Sequence, residues 1–387
     1  MKYKTPTHIL PIIVIAQFCC TSLWFAGNAV MNDLVQAFNL PDNALGHLTS
    51  VIQLGFITGT LVFALLMIAD RFPPSRVFFV SALLGSIANL GIAWGENSFS
   101  SLLGLRFITG FFLAGIYPVG MKIAADYYQA GLGKSLGWLV GALVFGTAFP
   151  HLLQVFSGTL EWTMVIYITS TLALLGGTMI LLLVPPGPYR KAGTQVDLTA
   201  WFKVFKDKKF RTAAFGYFGH MWELYAFWTF VPFILTTFGG SALNIPLYAF
   251  CIIAIGGLAC VVGGHLAFAY GTQKIAALAL SLSGICCLLS PFVFSTASPM
   301  LLVAFLLFWG AFVVMDSPLF STLVAQNAPP KIKGTALTIV NCLGFAITVL
   351  SIQFLTRLMD SISPMWLLSI LAIGPILSLP GLIRGLK

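Results

Sequence analysis

Apolar residues run through this chain in long stretches, punctuated by proline, glycine and clusters of charge. The runs fall near residues 9 to 33, 44 to 69, 76 to 95, 99 to 126, 132 to 156 and 162 to 184. A polar stretch from Pro185 to Lys209 follows, and apolar runs resume near 211 to 238, 244 to 270, 273 to 295, 299 to 327, 333 to 357 and 362 to 384. About 20 apolar residues in a helix cross the hydrocarbon core of a bilayer, so each run is long enough to span one. The pattern predicts an all-α polytopic membrane protein with twelve transmembrane helices. It divides into a six-helix bundle over 1–184, a cytoplasmic linker over 185–210 and a second six-helix bundle over 211–387.

Composition agrees. Hydrophobic residues make up 58 % of the 387 positions and charged residues 8 %, against roughly 25 % charged in soluble domains. The net charge of +9 would suggest nucleic acid in a soluble protein, but here the basic residues alternate with the spans. With the N-terminus inside, Lys2, Lys4, Arg71, Arg76, Lys134, Lys274, Lys331, Lys333, Arg384, Lys387 and the seven basic residues from Arg190 to Arg211 all face the cytoplasm. The positive-inside rule therefore predicts two cytoplasmic termini in a cell membrane of the bacterial inner type, with the lipid bilayer and not nucleic acid as partner. All seven cysteines lie within apolar runs, where they act as small hydrophobes. The first run is too long for a signal-peptide core and is read as the first helix.

Within the polar stretch, Leu198, Trp201, Phe202 and Phe205 recur at helical spacing while Lys203, Lys206 and Lys208 face elsewhere. That spacing predicts a short amphipathic helix on the inner leaflet, N-capped by Asp197. The halves echo each other at an offset of about 200 residues: Gly110 and Pro118 in the fourth run correspond to Gly310 and Pro318 in the tenth. Such a parallel duplication predicts a transporter that rocks one half against the other around a site near the bilayer midplane, by alternating access.

Between the second and third runs the chain reads Leu66, Asp70, Arg71, Phe72, Pro73, Pro74, Ser75, Arg76. In the second half Gly264 and Gly271 stand in the corresponding stretch, with Phe268 and Ala269 in place of charged residues. The fourth run carries Arg106, Thr109, Gly110 and Gly115, and the fifth Gly137, Gly141 and Gly146. With these motifs the chain resembles the major facilitator superfamily over nearly its whole length. The resemblance implies the major facilitator fold, two six-helix bundles related by a pseudo-two-fold axis. It further implies that Asp70, Arg71 and Arg76 belong to a conformational gate and that Arg106 is associated with proton coupling. The exchanger signature's Gly-Pro pair and the glucose-transporter signature after the sixth helix are both missing, so no subfamily is assigned.

Three ionisable residues lie inside spans, away from both ends: Arg106, Glu223 and Asp316. At a lipid-facing midplane position each would cost about 2.5 to 3.5 kcal/mol, so they must face partners or a cavity. His220 precedes Glu223 by one helical turn, and the two could share or pass a proton. Asp316 stands two residues before Pro318, where a freed carbonyl accompanies the helix break. Glu223 is the first candidate for carrying the proton, with Asp316 or Arg106 assisting; a carboxyl held permanently neutral between helices is the structural alternative. Gln17, Thr21, Trp24 and Asn28 form one polar and aromatic stripe on the first helix. Tyr117, His151, Gln154, Thr338, Asn341 and Thr348 could add to the same cavity wall, although hydrogen bonding between helices explains any one of them. In the resembled family the helices that carry these residues line the central cavity.

Gly133-Lys134-Ser135-Leu136-Gly137 spells a nucleophile-elbow motif, but it opens a helix without the strand that motif requires. Tyr128 stands where a phosphate loop needs its first glycine. The chain reads as a secondary transporter and not an enzyme. It needs no cofactor or metal, carries a small-molecule substrate with protons, and is complete as a monomer. The alternatives are an uncoupled facilitator, a transporter whose acids bind a cationic solute, and a polytopic enzyme acting on lipid.

Overall fold

The computed structural model describes residues 6–41, 43–128, 132–156, 161–190, 204–240, 243–296, 298–329 and 333–384. Among them every regular element is a helix. The chain divides into two compact units, Met1–Val196 and Asp197–Lys387.

In the first unit the helices are α1 (Ile9–Thr21), α2 (Ala26–Ala29), α3 (Met31–Phe38), α4 (Ala44–Leu65), α5 (Ile68–Arg71), α6 (Pro74–Leu90), α7 (Phe99–Leu113), α8 (Tyr117–Tyr127), α9 (Leu132–Gln154) and α10 (Trp162–Leu183). In the second they are α11 (Lys208–Gly239), α12 (Ile245–Tyr270), α13 (Thr272–Phe294), α14 (Pro299–Met315), α15 (Ser317–Asn327), α16 (Lys333–Leu358), α17 (Pro364–Leu367) and α18 (Ile373–Arg384). Ten helices, counting each broken one as a single span, are long and apolar enough to cross a membrane among the described residues. The other two expected spans are present in altered form. The first is the apolar helix α1 prolonged by two short segments, and the seventh is α11, 32 residues long and carrying His220 and Glu223.

The run expected to be one helix from 9 to 33 breaks after Thr21 and resumes at Ala26. The fourth and tenth spans also break, at Ala114–Ile116 and at Asp316, and in both a proline enters the first turn of the next segment. Proline has no N–H to donate there and stops the preceding helix by its ring. The last span passes through a 3-10 turn at Leu368–Ala372 before α18. Residues 191–203 lie outside the described residues, and with them most of the amphipathic linker helix and its Asp197 cap. The capping residue observed next in the chain is Asp207, whose side chain accepts from Phe210 N–H at 2.8 Å and opens α11.

Each unit is built on the same contact. A Cβ on Gly110 of α7 would strike the carbonyl of Ile52 on α4, and a Cβ on Gly310 of α14 would strike the carbonyl of Ile252 on α12. Only a residue without a side chain lets these backbones approach so closely. The residues on both sides of the contact are offset by the same 200 positions, so the duplication seen in the sequence extends to the packing. Outside these cores large apolar side chains stand bare, with Phe268 96 % and Leu377 76 % exposed. Such surfaces suit lipid and not water.

Candidate functional site

In the first unit the central feature is the break in the first span. The carbonyls of Leu23 and Trp24 lie at the break between Thr21 and Ala26, and Arg106 reaches from α7 to bond them. Its Nη1 donates to Leu23 O at 3.2 Å, and its Nη2 to Trp24 O at 2.7 Å and to Asn28 Oδ1 at 3.0 Å. Asn28 in turn donates to Thr49 on α4 at 2.6 Å. A cation at the carboxyl end of α1 also complements the helix dipole, which accounts for a buried guanidinium, 2 % exposed, that pairs with no carboxylate among the described residues. Gly27 lies against the guanidinium, where a Cβ would come within 3.5 Å of Arg106 Cζ.

The other predicted residues of this unit have diverse surroundings. Gln17 is fully buried and its amide has no hydrogen-bond partner among the described residues; its oxygen occupies the space that a Gly120 side chain would fill. Trp24 packs on Phe56, with ring centroids 4.9 Å apart. His151 is buried with Nε2 unpartnered, while Gln154 donates to Asp33 at 3.0 Å and so ties α9 to α3. Tyr117 opens α8 at the second break, half-buried. At the opposite end of the bundle Asp70 pairs with Lys122 of α8 at 2.6 Å. Arg190 donates to the carbonyls of Asp70 and Phe72 at 3.0 and 3.1 Å, strapping the chain after α10 onto the same loop. Arg71 and Arg76 are exposed beside it. Of the residues expected at the gate, Asp70 holds an ion pair, and its partner is Lys122, a residue the sequence did not single out.

The second unit gathers ionisable side chains onto one another. His220 Nδ1 on α11 lies 2.8 Å from Asp316 Oδ1 at the break between α14 and α15, both 1 % exposed. The two atoms are in contact without meeting the geometry of a ring N–H hydrogen bond. His220 Nε2 and Asp316 Oδ2 have no further partner. Phe320 and Tyr217 flank the imidazole at centroid distances of 6.0 and 6.1 Å. Tyr217 donates to Asn341 of α16 at 3.0 Å. Glu223, one turn from His220, turns to other partners. Its Oε1 accepts from Trp309 Nε1 at 2.6 Å, from Cys287 Sγ at 3.3 Å and from the Ser283 hydroxyl. Three donors on one oxygen make Glu223 a tie between α11, α13 and α14. His220 and Glu223 share a helix face as their spacing predicts, but the imidazole's close partner is Asp316. His265, another residue that folding could have brought to Asp316, is exposed and contacts the Val261 carbonyl of its own helix at 2.8 Å.

Sequence reasoning missed Ser283, Cys287 and Trp309, because a partner two or three helices away leaves no periodic trace. The indole of Trp309 was the available signal, since a tryptophan in mid-span needs an acceptor for its N–H.

Apolar helices in two repeated bundles, with ionisable side chains buried between helices, make this a polytopic membrane protein, and its family match makes it a transport protein and not an enzyme. The chain belongs to the Major Facilitator Superfamily, whose family model matches residues 13–352. A stretch of 123 residues is 30 % identical to the putative niacin/nicotinamide transporter NiaP of Bacillus subtilis (strain 168). That stretch is 29 % of this chain and 30 % of the relative, so the likeness covers under a third of either. Among solved structures, a D-xylose-proton symporter is similar at TM-score 0.79 and 17 % identity over 96 % of both chains. The proton:xylose symporter XylE bound to 6-bromo-6-deoxy-D-glucose is similar at TM-score 0.75 and 16 % identity, over 98 % of this chain and 95 % of that one. At these identities the likeness concerns the fold.

Proposed function

We propose that this chain moves a small solute across a bacterial cytoplasmic membrane by alternating access of its two bundles, with both termini cytoplasmic and with proton movement through the His220–Asp316 pair. The observation that carries the coupling is that pair, at 2.8 Å and sealed from solvent beside a helix break. A buried carboxyl and imidazole in contact can hold one proton between them or release it when water enters. Helix breaks are where backbone in a membrane borders such water. Glu223 shares the field of the pair from one turn away and, held by three donors, keeps α11 fixed against α13 and α14 while Asp316 changes state. Arg106 serves the same end in the first unit by holding the broken span together, which favours a structural role over a proton-carrying one. Asp70 with Lys122, and Arg71 and Arg76 beside them, form the gate at the cytoplasmic end. The names of the similar proteins supply the first solutes to try: nicotinamide, nicotinate and D-xylose.

The test is uptake into proteoliposomes with and without an inward pH gradient. The wild-type protein should accumulate its solute under the gradient. Asp316→Asn should lose at least about tenfold of the gradient-driven rate while counterflow exchange between equal pH compartments continues. A variant that still responds fully to the gradient would remove Asp316 from the coupling.

A further inference from the structure

At the end of the first unit away from Asp70, a groove of about 450 Å³ opens between the turn that follows α6 and the exposed face of α7. One wall is Gly91, Trp94 and Glu96 from the turn; the other is Ser101, Gly104 and Ile108, at helical spacing on α7. The turn is fixed by Asn97, whose Nδ2 donates to the carbonyls of Gly91, Ile92 and Trp94 at 2.8, 3.2 and 2.9 Å. Its Oδ1 accepts from the Ser101 hydroxyl at 2.8 Å, and Ser98 and Ser101 close a capping box at the start of α7. The groove is thus held open by the chain's own hydrogen bonds.

Three of its residues serve no contact within the chain. Gly104 lies inside α7, where glycine weakens a helix, yet a Cβ there would meet nothing within 4 Å. Packing gives no reason for the missing side chain, in contrast to Gly110 on the same helix, against which the Ile52 carbonyl presses. Glu96 is exposed, and its carboxylate takes no hydrogen bond or ion pair among the described residues. Trp94 is 68 % exposed, and indoles on the surface of a membrane protein favour the level of the lipid headgroups. No lysine or arginine lines the groove, and none occurs in the sequence between Arg76 and Arg106. Deeper along the two helices, Ile87 and Leu90 on α6 and Ile108 on α7 stand exposed.

A carboxylate and an indole at the mouth of an apolar channel complement a lipid whose head carries a cation, and repel one whose head is only anionic. From this arrangement we infer that the groove binds an aminophospholipid, with its ammonium at Glu96 and Trp94 and an acyl chain in the space that Gly104 leaves open. Such a site needs only a membrane around the bundle and is independent of the solute and of proton coupling.

It is tested by native mass spectrometry of the purified full chain in detergent, titrated with phosphatidylethanolamine, phosphatidylcholine or phosphatidylglycerol of the same acyl chains. Phosphatidylethanolamine should be held most tightly, because its ammonium can donate to a carboxylate, which a quaternary head cannot, and phosphatidylglycerol least. Glu96→Gln should weaken the Kd for phosphatidylethanolamine about threefold at low salt and less at high salt. Gly104→Leu, which fills the channel, should weaken it at least about tenfold. Without added lipid both variants should melt no lower than the wild type, since Glu96 bonds nothing and leucine is a better helix former than glycine. A loss of binding is then not a loss of fold. Free phosphoethanolamine should not compete, which separates a lipid from a soluble amine. Phosphatidylglycerol held as tightly, no phosphatidylethanolamine retained, binding indifferent to either substitution, or full competition by the free head group would each overturn the inference.

Discussion

In the first unit a buried cation is surrounded by backbone oxygens, whereas in the second the buried acids face an imidazole, an indole and a hydroxyl, although the glycine contacts in both are the same. Arg106 stands where the second unit has Leu306, four residues before the paired glycines Gly110 and Gly310. The first span of the first unit is broken and needs a cation to hold its carbonyls; α11, which opens the second unit, runs unbroken for 32 residues and needs none. One duplicated frame thus uses intramembrane charge in two ways, to mend a backbone in one copy and to bring titratable groups together in the other.

The comparison breaks most readily at Arg106. Arg106→Leu gives the first unit the residue of the second but removes the buried donors to the Leu23 and Trp24 carbonyls and to Asn28 Oδ1. Unsatisfied buried groups cost about 1–3 kcal/mol each, so the variant should lose about 3 kcal/mol or more and melt well below the wild type in detergent. An unchanged melting temperature would mean that the break in the first span needs no cation.

Gly110→Ala and Gly310→Ala sharpen the shared half of the comparison. Each methyl would meet a backbone carbonyl of the neighbouring helix, of Ile52 or of Ile252, which cannot rotate aside. Both should destabilise by about 1–3 kcal/mol, and by similar amounts. A large loss at one glycine and none at the other would show that the two contacts have diverged in energy if not in geometry.

Much of this was legible in the sequence. The lengths of the apolar runs located the helices, and Pro318 marked one break through proline's missing donor, while its counterpart Pro118 stands at a break in a run read as one helix. The break in the first span has no such mark: Ser22, Leu23, Trp24 and Phe25 contain no proline or glycine, and the apolar run continues across them. Its carbonyls are bonded by a side chain 82 and 83 residues further along the chain, and partnerships of that kind carry no periodicity. For the same reason Glu223 and Asp316 could be recognised as buried acids, by the cost of placing them in lipid, but not assigned their different partners.

Trp309→Phe separates those two acids. It removes the indole donor from Glu223 and keeps the ring between Phe227 and Phe305, so the fold should lose about 1–2 kcal/mol. Because His220 and Asp316 are untouched, the response of uptake to a pH gradient should persist. Loss of the gradient response with the fold intact would move the coupling from Asp316 to Glu223.

The smallest effect belongs to the ion pair between Asp70 and Lys122. Both side chains are about a quarter exposed, so solvent and salt screen the attraction even at 2.6 Å. The second unit shows that such a bundle end can do without it, since Thr322 stands 200 positions after Lys122 and its hydroxyl is used within its own helix, on Pro318 O. Lys122→Ala should therefore cost about 0.2–1 kcal/mol at low salt and less at high salt, read as the difference in melting temperature between the two conditions. If Asp70 acts in a gate, the same variant should change the rate of uptake by more than its small stability loss explains, because the pair would then hold one conformation and not the fold. Equal, small effects on melting and on rate would leave the pair a surface contact and remove Asp70 from the gate.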